Sequence, residues 1–128
     1  MSTNTDYLKV INSLEGLTDV GLSCATIPSD YQERRKKLEG RYEEFKTCCE
    51  WIEKFRYHPS EKEFMKFVHV QTYSSYYLKH LVERWSGKYI SNGAFIAAVK
   101  FFNLPFRHIY GTPDISVCIF LKKKATLL

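Results

Sequence analysis

The stretch that decides the fold runs from residue 74 to residue 102 and reads SSYYLKHLVERWSGKYISNGAFIAAVKFF. It contains two segments with the apolar spacing of an α-helix, and each follows a serine that can cap a helix N-terminus. The first segment, over residues 76–86, carries apolar side chains on one face and ends at Gly87, a typical helix stop. The second, over residues 92–102, is so rich in alanine and large apolar residues that we expect it to be buried. The stretch therefore predicts a pair of packed helices.

The N-terminal half predicts three further helices. We expect the first over residues 6–14, capped by Thr5. A long helix is predicted over residues 28–56, where apolar residues recur at steps of three and four, although Gly40 lies inside it. Another helix should begin at Ser60, because a glutamate follows three residues later in the spacing of a capping box. We expect Phe64, Phe67 and Val68, with Met65 beside them, to form its buried face.

The C-terminal segment predicts β-structure. A short strand over residues 107–110, a turn over 111–114 and an alternating strand over 115–121 have the pattern of a hairpin. Such a hairpin is only marginally stable by itself and should lie on the helices, with Val20 to Cys24 as a possible third strand. The expected fold class is α+β, a helix-dominated single domain of 128 residues with a small antiparallel sheet.

The charge of the chain is distributed unevenly between its halves. Residues 1–64 hold ten Lys and Arg against twelve Asp and Glu, a net −2, whereas residues 65–128 hold nine against two, a net +7. A basic half attracts nucleic acid, an anionic membrane or an acidic protein surface. The competing interpretation is that these side chains keep an aromatic-rich domain in solution.

Several classes of protein are not indicated by the sequence. The N-terminus lacks the basic start and apolar run of a signal peptide, and no apolar stretch is long enough to span a membrane. The four cysteines lack the spacing of a disulfide framework or a metal knuckle, so we expect reduced packing thiols in a cytoplasmic protein. Without a phosphate loop, a nucleophile elbow or a metal motif, we expect no enzyme activity, no cofactor and no metal.

The candidate binding surface centres on the first helix of the central pair, and Arg107 of the C-terminal segment is added to it. The aromatic and hydroxyl cluster over residues 72–77 and the basic side chains near it are suited to stacking bases and pairing phosphates. We expect at least one of Tyr73, Tyr76 and Tyr77 to pack in the core and some of their hydroxyls to be exposed. The candidate residues for binding nucleic acid or a protein partner are Tyr76, Tyr77, Lys79, His80, Glu83, Arg84, Lys88 and Arg107.

Three alternatives compete with this interpretation. His80 and Glu83, three residues apart on a helix, could orient a metal or move a proton, but a surface hydrogen-bonded pair is the more usual arrangement. A DNA-reading helix-turn-helix would place base-contacting side chains at the start of its second helix, which here begins Asn92-Gly93-Ala94. The lysines at 122–124 could contact phosphates or could protect an edge strand from aggregation, and we favour the second.

A family resemblance rests on the same stretch. The residues Ser75-Tyr76, Leu78-Lys79-His80, Glu83, Gly87 and the run from Tyr89 to Ala98 resemble small proteins carried by bacterial phages and integrating elements. The resemblance covers residues 72–114 and carries no functional residue over. It implies a setting of DNA maintenance or interference with host defence.

Two functions are therefore expected. The first is a non-enzymatic accessory protein that binds nucleic acid through the basic, aromatic-rich C-terminal half. The alternative is a protein-binding inhibitor of a host defence nuclease or CRISPR complex, with no membrane partner in either case.

Overall fold

The computed structural model describes residues 3–22 and 30–127. The α+β class is confirmed, with helices dominating two small antiparallel sheets. The α-helices are α1 (Asn4–Asn12), α2 (Tyr31–Glu39), α3 (Tyr42–Phe55), α4 (Glu61–Phe67), α5 (Ser75–Ser86) and α6 (Asn92–Phe101). The strands are β1 (Leu17–Thr18), β2 (Gly21–Leu22), β3 (Thr72–Ser74), β4 (Phe106–His108) and β5 (Ile115–Cys118), and a 3₁₀ turn follows at Lys123–Thr126.

The central helix pair forms as its sequence predicts. The Ser74 hydroxyl accepts from the backbone N–H of Tyr77 at 3.1 Å and caps α5, while Ser91 caps α6 in the same way. Gly87 ends α5 with a φ of 72°, a left-handed conformation that glycine adopts without strain. Residues 92–99 of α6 are all buried, and α6 packs against α3, α5 and α1. The second helix is therefore core, and this excludes it from reading a DNA groove.

Two helix boundaries in the N-terminal half differ from expectation. Helix α1 begins earlier than predicted, because Thr3 and Asp6 form a reciprocal capping box that replaces the expected cap at Thr5. The predicted long helix is two helices, α2 and α3, separated at Gly40, where glycine is a poor helix former. Pro28, at the predicted start of the long helix, lies outside the described residues.

The helix predicted at Ser60 is present, but it packs less than expected. The Ser60 hydroxyl accepts from the backbone N–H of Glu63 at 3.1 Å and caps α4. No residue within α4 is buried, and Met65 and Phe67 at its end are exposed. The expectation that Phe64, Phe67 and Val68 form a buried face was therefore wrong, since Phe67 is exposed and the other two are only partly covered.

The main sheet has three antiparallel strands, and its third member is not the predicted one. Its order is β3-β5-β4, with Thr72 opposite Cys118 and Arg107 opposite Ser116. The hairpin of β4 and β5 is confirmed, but β3 supplies the remaining strand. The expected third strand at residues 20–24 instead begins as β2, which pairs with β1 in a separate sheet. Cys24 lies outside the described residues.

The position of β5 also changes the interpretation of the lysines at 122–124. Because β5 is the central strand, these lysines do not protect an edge. The chain instead crosses back toward α3 after the strand, where the Lys122 N–H donates to the Phe55 carbonyl at 2.7 Å. The three lysines are exposed and enter the short 3₁₀ turn.

The start of α6 holds the small β1–β2 sheet in place. The Asn92 side-chain amide donates to the Val20 carbonyl and to an Asp114 carboxylate oxygen, both at 3.0 Å. The Gly93 N–H donates to the Asp19 carbonyl at 3.0 Å. A Cβ added at Gly93 would lie 2.0 Å from the Thr18 carbonyl oxygen. Glycine is therefore needed at this helix start for the close approach of the β1–β2 turn.

The described residues place three cysteines in buried positions. Cys48, Cys49 and Cys118 carry free thiols. Burial raises the pKa of the Cys48 thiol well above its usual value, so it stays protonated at neutral pH. None of the helices in the described ranges combines the length and the apolar character needed to cross a membrane.

Candidate nucleic-acid interface

Five of the eight candidate residues follow the outer surface of α5 and its C-terminal end. Tyr76 is 55% exposed and Tyr77 is 41% exposed, while Arg84 and Lys88 are also exposed and His80 is partly covered. Tyr76, His80 and Arg84 are four positions apart along one row of the helix, Tyr77 lies on the neighbouring row three positions before His80, and Lys88 follows the end of the helix. We refer to the surface formed by Tyr76, Tyr77, His80, Arg84 and Lys88 as the α5 ridge.

The two tyrosines of the α5 ridge are held by aromatic neighbours. The Tyr77 ring stacks on Tyr73 of β3 with centroids 5.8 Å apart and planes inclined by 20°. Tyr73 itself is half-buried against the core, as expected for one member of this tyrosine cluster. The Tyr76 ring meets the His80 imidazole edge-on at 4.4 Å. Both rings therefore have a defined orientation at the surface before any ligand arrives.

Lys79 does not lie on the outer surface, contrary to the sequence-based expectation. It is only 7% exposed. Its ammonium group contacts Glu83 Oε2 at 3.2 Å and lies 5.5 Å and 5.3 Å from the ring centroids of Tyr76 and Tyr89. A lysine enclosed by a carboxylate and two rings is satisfied within the protein, so Lys79 has a structural role.

Glu83 is likewise an internal group. Its Oε2 accepts from Lys79 and from the Ile90 N–H at 3.0 Å, and its Oε1 lies 2.6 Å from His80 Nδ1. Partial burial alone would raise the pKa of Glu83, but the hydrogen bonds from Ile90, Lys79 and His80 outweigh it and lower the pKa. The ionised carboxylate therefore joins α5 to the link that leads into α6.

The His80–Glu83 pair has the geometry of a structural contact. Glu83 already bonds to Lys79 and Ile90, so its carboxylate is committed to neighbours within the fold. Across residues 3–22 and 30–127, no group of three or more His, Cys, Asp or Glu side chains is arranged to hold a metal ion. The pair fixes the imidazole at the edge of the α5 ridge.

Arg107 lies on a different surface from the other candidates. It extends from β4, which is separated from β3 and the start of α5 by the central strand β5, about 10 Å at two strand spacings. Arg107 lines a cavity with residues from the sheet and the loops around it, and no α5 residue lines that cavity. The structure therefore does not bring Arg107 together with the α5 ridge.

Three residues missed by the sequence analysis support the base of the α5 ridge. Glu44 of α3 accepts from the Ser91 N–H at 2.7 Å and from the Arg41 guanidinium at 2.9 Å. The Arg41 guanidinium lies 5.9 Å from the Tyr89 ring, which also faces Lys79. No local signal reveals this contact, because Glu44 and Ser91 are 47 positions apart.

Comparison with known proteins adds no family to these observations. The chain matches no protein-family model, no curated protein and no solved structure. The resemblance to phage and mobile-element proteins therefore stays a prediction.

Proposed function

We propose that this protein is a non-enzymatic, cytoplasmic accessory protein that binds single-stranded nucleic acid through the α5 ridge. The observation that carries the proposal is the presence of exposed, oriented tyrosine rings beside exposed basic side chains on one helix surface. Aromatic rings stack on bases of any sequence, and basic groups pair with the phosphates between them. Stacking requires unpaired bases, which favours a single strand over a duplex.

The basic contribution of the α5 ridge comes from its C-terminal end. The charges of Lys79 and Glu83 are directed at each other, so they add little to the field outside the protein. Arg84 and Lys88 lie beyond the tyrosines along the helix direction, and Arg84 lies about 10 Å from Tyr77 at the rise of an α-helix. In this proposal, bases stack at the tyrosine end of the α5 ridge and phosphates pair with the basic residues at its other end.

The test is fluorescence anisotropy with labelled single-stranded DNA, single-stranded RNA and duplex DNA over a range of salt concentrations. We expect tighter binding to single strands and a steep loss of affinity with salt, since paired phosphates release counterions. Tyr77→Ala should weaken binding by roughly tenfold or more, which corresponds to one stacked base. Lys88→Gln should reduce the slope of log K against log salt by about 0.7, the value for one phosphate contact on a single strand.

The matched control is Lys37→Gln on α2, which removes one exposed lysine far along the chain in the acidic half. This variant should bind with unchanged affinity and an unchanged salt slope. If no oligonucleotide binds at low salt, or if all three variants lose affinity equally, the proposed function is wrong.

The second candidate function is the protein-binding inhibitor, and an apolar surface at the end of α4 favours it. Met65 and Val70 are 69% and 67% exposed, and Phe67 lies between them in sequence with 37% exposed. Clustered exposed apolar side chains are typical of protein interfaces. The test is a pull-down in which a stoichiometric protein partner should survive nuclease treatment. That partner should be lost with Met65→Asp and retained with Lys37→Gln, and this result would favour protein binding over nucleic-acid binding.

A further inference from the structure

A cavity of about 310 Å³ lies on the main sheet, and no residue of the α5 ridge lines it. Thr72, Arg107, Ser116 and Cys118 line it from the three strands. In an antiparallel ladder, directly opposite residues point to the same face. Thr72 lies opposite Cys118 and Arg107 opposite Ser116, and residues 116 and 118 are two apart on β5. All four side chains therefore share one face of the sheet.

The other face of the sheet is part of the core. Ile115 and Val117 of β5 alternate with the cavity residues and are fully buried. The cavity face is open, with Thr72 and Arg107 exposed and Ser116 partly exposed. The turn after α4 adds His69 to the lining. We refer to this space as the sheet cavity.

The polar groups of the sheet cavity are unused within the fold. The side chains of His69, Thr72, Arg107 and Ser116 make no hydrogen bond or ion pair with any residue in the ranges 3–22 and 30–127. They offer a planar guanidinium, two hydroxyls and an imidazole toward one small space. A few polar side chains that converge on one concavity are typical of small-molecule sites, and these groups are suited to a ligand that accepts hydrogen bonds.

The electrostatics of the sheet cavity favour an anion. None of the described residues that line it carries a carboxylate. Burial raises the pKa of the Cys118 thiol, although the nearby Arg56 opposes the shift, so the thiol stays neutral and does not repel an anion. Arg56 lines an adjoining cavity that shares Pro105 and Cys118 with this one. Positive charge is therefore present on two sides of the same region.

We propose that the sheet cavity binds a small organic phosphate monoester. The guanidinium of Arg107 matches two phosphate oxygens in a forked pair, and the hydroxyls of Thr72 and Ser116 can donate to the remaining one. A carboxylate paired with Arg107 through both oxygens would have to share them with the hydroxyls, whereas a phosphate monoester keeps a third terminal oxygen for Thr72 and Ser116. The volume lies at the small end of ligand pockets, and Val68 and Pro105 give an apolar wall for the carbon part of the ligand.

The test is a titration of the isotopically labelled protein followed by amide NMR, with adenosine monophosphate and glycerol 3-phosphate as the monoesters. Adenosine, glycerol and inorganic phosphate are the matched probes. We expect saturable shifts centred on Thr72, Arg107 and Ser116 with a Kd of about 1 mM or tighter for a monoester. Adenosine and glycerol should cause none of these shifts.

Variants assign the binding to the sheet cavity. Arg107→Gln should weaken monoester binding by at least about tenfold, as expected for loss of a charged hydrogen-bonding group, and Ser116→Ala should weaken it less. Lys37→Gln removes the same charge elsewhere and should bind normally. Arg107→Gln should retain the oligonucleotide affinity of the wild-type protein, because Arg107 is not part of the α5 ridge, so this inference and the proposed function can fail separately.

Three results would overturn the inference. One is the absence of saturable shifts with both monoesters, including the case in which inorganic phosphate alone binds. Another is equal binding of adenosine and adenosine monophosphate, which would show that the phosphate is not recognised. The third is equal weakening by Arg107→Gln and Lys37→Gln, which would indicate a general charge effect.

Discussion

Replacing Glu83 with alanine should destabilise the protein strongly, although Glu83 lies outside the apolar core of α5. The side chain is only 20% exposed and accepts from Ile90, Lys79 and His80. Removal of the carboxylate leaves the Lys79 ammonium without its ion-pair partner, and water cannot replace that partner fully because the Lys79 side chain is only 8% exposed. Breaking a buried ion pair from one side costs about 3–5 kcal/mol, and the partial exposure of the carboxylate places Glu83→Ala near the lower end, at about 3 kcal/mol.

Two milder variants separate the contributions. Glu83→Gln preserves an acceptor for the Ile90 N–H and removes only the charge, so we expect a loss of about 1–2 kcal/mol. His80→Ala removes one contact of an imidazole that is 39% exposed, and such surface pairs contribute less than about 1 kcal/mol. Urea unfolding should therefore rank the losses as Glu83→Ala, then Glu83→Gln, then His80→Ala.

The dependence on pH gives a second readout for Glu83. Its pKa in the folded protein lies below the ordinary value of 4.5. Its contribution to stability is therefore complete above pH 4.5 and is lost as the pH falls through the lower, folded-state pKa. The stability difference between wild type and Glu83→Gln should shrink on acidification through this range. A Glu83→Ala loss no greater than that of His80→Ala, or a difference that is independent of pH, would refute the structural role.

Two further perturbations test the packing of the fold. Gly93→Ala should lower the free energy of unfolding in urea by about 3 kcal/mol, since its Cβ would meet the backbone oxygen of Thr18. Gly87→Ala at the end of α5 meets no neighbour, so it should lower the free energy of unfolding by only about 1 kcal/mol, the cost of a left-handed alanine. Equal losses for the two variants would contradict the close approach at α6. Tyr7→Phe should cost about 1–2 kcal/mol because the Tyr7 hydroxyl donates to the Leu38 carbonyl in the core, and an unchanged unfolding midpoint would contradict that hydrogen bond.

The candidate site was only partly predictable from sequence. Exposure of Tyr76 and Tyr77 follows from helix periodicity, because the apolar stripe of α5 lies on the other side. The same periodicity placed Lys79 at the surface, and it failed there because the link after α5 brings Tyr89 over the ammonium group. A lysine can extend its aliphatic stem along apolar surface, so its type alone does not predict exposure.

Arg107 shows a different limit of sequence reasoning. Its type and charge suggested a role with the basic residues of α5, but strand order separates the two. Strand order depends on which segments pair across long stretches of chain, and Thr72 meets Cys118 across more than 40 positions. No spacing rule within one segment contains that information.

The central helix pair is what the sequence by itself determined. Its caps at Ser74 and Ser91 and its stop at Gly87 depend on hydrogen bonds and backbone preferences within a few residues, so they can be recognised locally. The tertiary structure alone decided the partner of the C-terminal hairpin, the enclosure of Lys79 and the separation of the α5 ridge from the sheet cavity. These features depend on contacts between distant segments, and such contacts form only when the whole core assembles.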